Sequence, residues 1–319
     1  YAALILITGT VTCIIYIIYG IRNFEECKYS TLIVDRSMMK QMLSFSGWTI
    51  FGNLGYILHT QGIAIVINMF FTVAVNAAQG IANQVNGLVT QFATNFLIAL
   101  NPQVVKNYAA GDLDRMHTLI IRGCKMAFCL MCFFVIPLIL EASMVLKIWL
   151  GIVPEYAVIF MRLVLLISLI NSFSSLLAAS KGATGDIKTY QLTLTIIGAF
   201  HLPLAWLVFE LGGGPEYSMY VYLLIVIILQ VFRIWFVCKS VKMNILRFVK
   251  DVLVRCLLVL VAASVLPVIV HVLSSPSILT TIVVGTVSVI SVIFSTLYLA
   301  LTTLERDAIL NLIFSRIKK

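Results

Sequence analysis

Nine long runs of apolar residues alternate with short polar, glycine-containing or proline-containing segments along the chain. A helix needs about 20 mostly apolar residues to cross the hydrocarbon core of a bilayer, and every run has about that length. The pattern predicts spans at residues 1–19, 44–71, 78–104, 118–140, 157–179, 192–211, 219–238, 252–271 and 278–301. We therefore expect an all-α integral membrane protein with about nine transmembrane helices.

The composition agrees with a membrane location. Hydrophobic residues make up 61% of the 319 residues and charged residues 11%, whereas about 25% of the residues in a soluble domain are charged. The net charge of +9 does not indicate nucleic-acid binding, because the basic residues are spread between the apolar runs. The first residue lies within an apolar run, so we expect the chain to be a fragment whose N-terminal part is absent.

The 22 Lys and Arg residues follow one alternating pattern. Twenty of them lie in or beside every second connection between spans. This set includes Lys125 and Arg233, which lie inside predicted spans, and it excludes Lys147 and Arg162. Positively charged residues stay on the cytoplasmic side when helices insert. The pattern predicts residue 1 outside the cell and Lys319 in the cytoplasm.

Three segments outside the spans are distinguished by their charge or by an amphipathic pattern. The segment 20–43 is the longest and most charged connection, which is typical of a linker between two helical bundles. The segment 141–151 is amphipathic and contains Trp149, so we expect a short helix in the outer interface. The segment 304–319 is expected to lie as an amphipathic tail on the inner leaflet.

The third span carries its polar and apolar residues on separate stripes. The first polar stripe is Asn76, Gln79, Asn83, Asn86 and Thr90; the second is Gln84, Gln91 and Asn95; the apolar stripe is Ile81, Val85, Leu88, Phe92 and Phe96. Residues three and four positions apart share a helix face. One side of this helix is therefore expected to face lipid or an apolar neighbour, and the other water or a polar ligand.

The second span has a similar design. Its polar face carries Ser46, Thr49, Asn53, Tyr56 and Thr60, and a thin face carries Gly52, Gly55, His59 and Gly62. Glycines allow another helix to approach closely. Together the two polar faces predict a hydrated cavity. The alternative for any single amide is a structural hydrogen bond between helices.

The candidate cavity residues are Asn53, Tyr56, Asn83, Asn86, Thr90, Gln91, Asn95 and Arg162. Arg162 lies eight residues beyond Pro154, about 12 Å along a helix. Its guanidinium either snorkels to lipid headgroups or binds a substrate phosphate. His59 and His201 are the two histidines well inside spans, and each is either a packed hydrogen-bonding side chain or part of a proton relay.

Common catalytic and cofactor motifs are missing from the sequence. It has no phosphate-binding glycine loop, no HExxH motif and no nucleophile elbow. All 13 carboxylates lie in loops or near span ends, so none is expected to bind a coupling proton or sodium ion inside a span. We expect no enzymatic activity, no cofactor, no metal site and no nucleic-acid partner.

Four segments carry a family resemblance: FSGWTIFGNLGYIL (45–58), VNAAQGIANQVNGLV (75–89), NPQVVKNYAAGD (101–112) and LLAASKGATGDIKTYQ (176–191). With them, residues 45–242 resemble the second half of the oligosaccharide flippases. These polysaccharide transporters belong to the superfamily of the multidrug and toxic compound exporters and the peptidoglycan lipid flippases. NPQVVKNYAAGD is the most specific of the four segments.

The resemblance implies two six-helix bundles that face each other across a central cavity. Residues 1–19 would be the last helix of a truncated first lobe, and 20–43 the cytoplasmic linker between lobes. Residues 44–240 would form the second six-helix bundle, 241–303 two further transmembrane helices, and 304–319 a cytoplasmic amphipathic tail.

The resemblance also implies a function in surface polysaccharide (lipopolysaccharide) biosynthesis at the bacterial inner membrane. An undecaprenyl-pyrophosphate-linked oligosaccharide would move from the inner to the outer leaflet by alternating access, with membrane lipids and a polysaccharide polymerase as partners. A cation-coupled multidrug exporter is the alternative, although the amide stripes and the absence of buried carboxylates argue against it. A membrane-embedded glycosyltransferase or polymerase fits less well, because it would need charged loops on the outer side.

Overall fold

The computed structural model describes residues 2–24, 35–303 and 305–307, and every regular element in these residues is helical. The chain divides into two compact units, Tyr1–Ser44 and Phe45–Lys319. The described α-helices are α1 (Ala2–Asn23), α2 (Arg36–Phe70), α3 (Val73–Ala109), α4 (Leu113–Leu140), α5 (Ala142–Leu150), α6 (Ala157–Asn171), α7 (Ser174–Gly182), α8 (Lys188–Ala199), α9 (His201–Glu210), α10 (Tyr217–Ser240), α11 (Ile245–Phe248), α12 (Arg255–Leu273) and α13 (Ile278–Ser295). π-Helical segments follow α11 (Val249–Val254) and α13 (Thr296–Ala300). The all-α prediction is confirmed.

Eight helical segments in the described residues are long and apolar enough to cross a membrane. Helix α3 corresponds to the remaining predicted span and is 37 residues long, but its Asn and Gln residues make it more polar than the others. The protein is therefore an integral membrane protein with about nine transmembrane helices, as predicted.

Helices occupy both ends of the segment 20–43. Helix α1 continues to Asn23, and α2 begins at Arg36. Asp35 starts α2 because its Oδ1 accepts hydrogen bonds from the backbone N–H groups of Ser37 and Met38, at 2.8 and 3.3 Å. Residues 25–34 of the linker, and residues 304 and 308–319 of the predicted tail, lie outside the described residues.

Helix α4 forms the centre of the second unit, where α3, α6, α7, α12 and α13 pack against it. Phe128 of α4 stacks on Phe173, with ring centroids 5.4 Å apart. Gly123 allows a close approach, because a Cβ at this position would be 2.5 Å from a methyl carbon of Leu176. The short helix α5 matches the amphipathic segment predicted between residues 141 and 151.

One membrane-crossing segment is broken where a candidate functional residue lies. The segment Lys188–Glu210 consists of α8 and α9, which meet at Phe200. Pro203 lies in the first turn of α9 and has no N–H to donate to the preceding turn. The break places His201 at the first residue of α9.

The glycine face of α2 lies against side chains of this broken segment. A Cβ at Gly52 would be 2.6 Å from the Gln191 amide, and one at Gly55 would be 2.6 Å from a Thr195 methyl. A Cβ at Gly62 would be 2.8 Å from a methyl of Leu202. A larger side chain at any of these three positions would require the neighbouring side chain to shift.

Helices α12 and α13 form a hairpin that a buried lysine holds against α4. Lys125, which the sequence pattern assigns to the cytoplasmic side, is 2% exposed inside α4. Its Nζ donates to the Ala300 carbonyl at 2.9 Å and lies 3.4 Å from Glu305 Oε2. Arg122 forms a second ion pair with Glu305. Burial raises the pKa of Glu305, but the Thr302 backbone N–H and both cations lower it more, so this pKa lies below its usual value.

A second polar contact holds the other end of the hairpin. Glu141, between α4 and α5, is buried, and its Oε1 lies 2.7 Å from His271 Nδ1 of α12. Its Oε2 accepts a hydrogen bond from the Thr281 hydroxyl of α13 at 2.8 Å. The carboxylates Glu141 and Glu305 are therefore structural partners near the ends of spans.

Candidate functional site

A cavity of about 370 Å³ lies between α2, α3, α6, α9 and α10. The first amide stripe of α3 lines it, with Asn76, Gln79, Asn83 and Asn86, and α6 adds Ser168 and Asn171. We call this space the amide cavity. The predicted polar faces of α2 and α3 therefore meet at one cavity, together with residues of three other helices.

The amide cavity contains hydrogen-bonding capacity that the protein does not use. Oδ1 of Asn86 is buried and has no hydrogen-bond partner among the described residues. The side chain of Asn83 is exposed on the same helix face. Because a buried polar atom without a partner is costly, Asn86 is suited to bind water or a polar ligand inside the cavity.

A second cavity of about 400 Å³ lies between α2, α7, α8 and α10. Its polar lining includes Thr49 of α2, Gln191 and Thr195 of α8, and Arg233 of α10. We call it the arginine cavity. Neither cavity is lined by a carboxylate from the described part of the chain.

Arg233 is held in the arginine cavity by neutral groups. Its Nη1 donates to Gln230 Oε1 at 2.9 Å and also to Ser174 Oγ. Its Nε donates to the Tyr190 hydroxyl at 3.3 Å. Within the described residues no carboxylate forms an ion pair with Arg233.

The two buried lysines differ from Arg233 in this respect. Lys125 pairs with Glu305, and Lys181 lies 3.5 Å from Asp186. Arg233 therefore keeps an uncompensated positive charge beside a cavity. The alternating charge pattern places Arg233 with the cytoplasmic connections, so it is not among the predicted cavity residues. The available signal was its position inside the predicted span 219–238.

Three of the predicted cavity residues line one or both of these cavities. Tyr56 lines both cavities, and Asn83 and Asn86 line the amide cavity. The exposed residues Asn53, Gln91 and Asn95, together with Thr90 and Arg162, line neither cavity. A place for Asn53, Gln91 and Asn95 on a cavity between two lobes stays a prediction.

Arg162 and Thr90 have local partners that account for their positions. Nε of Arg162 donates to the Ile139 carbonyl at 3.0 Å, so this guanidinium is bound to the end of α4. The Thr90 hydroxyl donates to the Asn86 carbonyl at 2.9 Å within α3. Among the described residues, Arg233 lines the arginine cavity and Arg162 lines neither cavity, so a place for Arg162 on a substrate cavity stays a prediction.

A small cluster of rings separates the two cavities. His59 and Tyr222 line both cavities, and His201 packs beside them. The Nδ1 atoms of His59 and His201 are 2.9 Å apart, and Nε2 of His201 lies 3.0 Å from the Ser218 carbonyl. The ring centroid of Tyr222 lies 4.6 Å from that of His59 and 5.0 Å from that of His201. The two histidines predicted as separate residues therefore form a pair.

Cysteine labelling can test which side of α3 is wet. In a background without exposed cysteines, Asn83→Cys is expected to react with a charged, membrane-impermeant thiol reagent at least about tenfold faster than Val85→Cys. Asn83 lines the amide cavity, whereas Val85 packs against the apolar core, where the thiolate that reacts is disfavoured. Equal labelling of both positions would contradict a water-accessible amide cavity.

These cavities do not resemble a metal site. No cluster of three or more His, Cys, Asp or Glu side chains in the described residues is arranged to hold a metal ion. The amide cavity presents amide and hydroxyl groups on one side of the ring cluster, and the arginine cavity presents the Arg233 cation on the other. Comparison with protein-family models, curated proteins and solved structures found no match to this chain, so the resemblance to the flippases stays a prediction from its sequence.

Proposed function

We propose that this chain forms a lobe of a flippase that moves a lipid-linked oligosaccharide with a pyrophosphate group across the bacterial inner membrane. The substrate class is an undecaprenyl-pyrophosphate-linked oligosaccharide, carried from the inner to the outer leaflet for surface polysaccharide biosynthesis. The observation that carries the proposal is Arg233, a cavity-lining cation held by neutral partners.

An uncompensated cation inside a membrane-spanning helix favours an anionic ligand. An arginine inside a membrane helix is unfavourable, with a cost that reaches about 2.5 to 3.5 kcal/mol at the helix centre on insertion scales. A phosphate beside Arg233 would recover part of this cost, since guanidinium and phosphate form strong, often bidentate hydrogen bonds. The absence of a carboxylate lining either cavity in the described residues leaves that position open to a substrate anion.

The amide cavity supports a sugar as the other part of the substrate. Sugar hydroxyl groups both donate and accept hydrogen bonds, and Asn and Gln side chains do the same. Four such side chains line one wall of the amide cavity. With the predicted orientation, the arginine cavity lies toward the cytoplasm and the amide cavity toward the outside.

Alternating access gives the ring cluster a function in this proposal. His59 and Tyr222 lie between the two cavities, so a headgroup that passes from one to the other must displace or pass these rings. The thin glycine face of α2 packs on α8 and α9 next to this point. Sliding of α2 along this face would open the passage on one side at a time.

A cation-coupled multidrug exporter is the second candidate. Its cavity would attract lipophilic cations, for which carboxylates or a neutral aromatic surface are the favourable lining. Arg233 repels such substrates. The aromatic residues Tyr56 and Tyr222 are the feature that favours the exporter.

The test is a transport assay with the intact protein in lipid vesicles. The probe is a fluorescent oligosaccharide linked by pyrophosphate to a polyprenyl lipid, and its transfer between leaflets is measured with a membrane-impermeant quencher. We expect the protein to accelerate transfer at least about tenfold over protein-free vesicles. The same assay with a fluorescent lipophilic cation should show no acceleration. Transport of the cation without transport of the lipid-linked probe would overturn the proposal in favour of the exporter.

A further inference from the structure

We infer that His59 and His201 form a binding site for one proton shared by two transmembrane segments, and that this proton is coupled to the transport cycle. The coupling rests on the proposed function, whereas the proton site does not. The observation behind this inference is that two buried imidazoles, one from α2 and one from α9, form a contact although the two histidines are 142 positions apart in the chain.

The hydrogen-bond partners determine how many protons the pair can hold. A carbonyl can accept but not donate, so Nε2 of His201 must carry a hydrogen toward Ser218. In the neutral pair, Nδ1 of His201 then accepts the hydrogen bond from the Nδ1–H group of His59. One N–H···N hydrogen bond therefore joins the two rings across 2.9 Å.

One additional proton fits this arrangement without moving the rings. If it enters at Nε2 of His59, both nitrogens of that ring carry hydrogens and Nδ1–H still points at His201. If the shared hydrogen moves across, Nδ1 of His201 donates and Nδ1 of His59 accepts. A second additional proton would place two N–H groups against each other at 2.9 Å, so the hydrogen bond between α2 and α9 would break.

The surroundings contain no competing acidic group in the described residues. Tyr222 of α10 packs beside both rings, and Tyr56 of α2 lines both cavities. Arg233 of α10 and Tyr190 of α8 line the arginine cavity next to His59. The residues that α3 and α6 contribute to the amide cavity are not ionisable. Among these ionisable groups, the two imidazoles are the side chains whose ordinary pKa lies nearest to neutrality.

The location of the histidine pair connects its proton to the proposed transport cycle. The pair joins α2 to the broken segment formed by α8 and α9, at the boundary between the two cavities. Sliding of α2 in the proposed cycle would separate His59 from His201. A proton shared by the two rings would then be held in one conformation and released in the other, which is the requirement for coupling.

Nitrogen-15 NMR of histidine-labelled protein in lipid nanodiscs tests the proton site without transport. Between about pH 8 and pH 4, we expect the His59 and His201 signals to shift together with one apparent midpoint, because they share a proton. In His59→Asn, which keeps a hydrogen-bonding amide near the position of Nδ1, the His201 midpoint should change. His117, a buried histidine that bonds to the Val241 carbonyl, is the internal control. Signals that stay neutral throughout, or that titrate independently of each other, would overturn the site.

The vesicle assay then tests the coupling. For one coupled proton, a gradient of one pH unit changes the equilibrium ratio of the probe between the two leaflets by up to about tenfold, and we expect the wild-type protein to show this change. His59→Asn and His201→Asn should respond less than about twofold, while the control His117→Asn responds like the wild type. A retained response in both pair variants would refute the coupling even if NMR shows the shared proton. Failure of the wild type to move the probe at all would refute the proposed function and the coupling together, leaving the NMR result to decide the proton site.

Discussion

Replacement of Arg233 by glutamine is expected to lower transport of the pyrophosphate-linked probe about ten- to hundredfold. Hydrogen bonds to a charged group contribute about 1.5 to 3 kcal/mol, and each 1.4 kcal/mol is a factor of ten. Glutamine keeps a polar side chain near Gln230 and Ser174 but removes the charge that the substrate phosphate would bind. Initial rates of probe transfer in vesicles, with the amount of reconstituted protein measured in each sample, check this prediction.

Two variants separate the role of the charge from a general loss of structure. Arg233→Lys keeps the charge and loses the forked geometry, so we expect an intermediate rate. Arg162→Gln removes a membrane-segment arginine that donates to the Ile139 carbonyl and lines neither cavity, so its rate should stay within about twofold of the wild type after correction for folded protein. The reverse order, with Arg162→Gln inactive and Arg233→Gln active, would restore the sequence-based assignment of Arg162.

Replacement of Glu305 by alanine is expected to lower the free energy of unfolding by about 3 kcal/mol. Removing one partner of a buried ion pair leaves the other charge uncompensated, at a cost of about 3 to 5 kcal/mol. Lys125 is 2% exposed, and its remaining partner would be the Ala300 carbonyl. Arg122 can turn to water, because half of its side chain is exposed. Equilibrium unfolding in lipid bicelles measures the effect.

The double variant Lys125→Met/Glu305→Ala provides the decisive comparison. It removes both charges and should recover most of the lost stability, since an apolar side chain suits the Lys125 position. Asp307→Ala is the control, because Asp307 is exposed and pairs with the neighbouring Arg306. A double variant as unstable as Glu305→Ala alone would show that the ion pair is not the cause.

The pH dependence of stability has a definite sign at this site. The pKa of Glu305 lies below its usual value near 4.5, so folding favours the ionised carboxylate. Its stabilising effect is complete above the ordinary pKa and is lost as the pH falls through the lower folded-state value. The free energy of unfolding of Glu305→Ala should therefore fall less in acid than that of the wild type.

Periodicity is sufficient to predict several features of the fold and the site. A run of about 20 apolar residues has few stable alternatives to a membrane-spanning helix. Spacings of three and four residues place Asn83 and Asn86 on one face of α3, because the helix has 3.6 residues per turn. The glycine face of α2 was readable for the same reason, and its partners proved to be Gln191, Thr195 and Leu202.

Features that depend on which helices meet could not be predicted in this way. Lys125 and Arg233 have similar positions near the cytoplasmic ends of spans. One pairs with a carboxylate 180 residues away, and the other has neutral partners. The same limit applies to His59 and His201, which lie on different spans. Nothing in their local sequences indicates a pair.

By itself, the sequence therefore determined the helices, their approximate number and the chemical character of each face. These properties follow from the local geometry of the helix and from the high cost of exposing polar backbone to lipid. The tertiary structure decided which faces meet. It decided that Asn86 borders a cavity while Thr90 bonds within its helix, that Arg233 rather than Arg162 lines a cavity, and that two distant histidines share a hydrogen bond. The physical reason is that contacts between helices depend on packing across the whole bundle, which local periodicity does not encode.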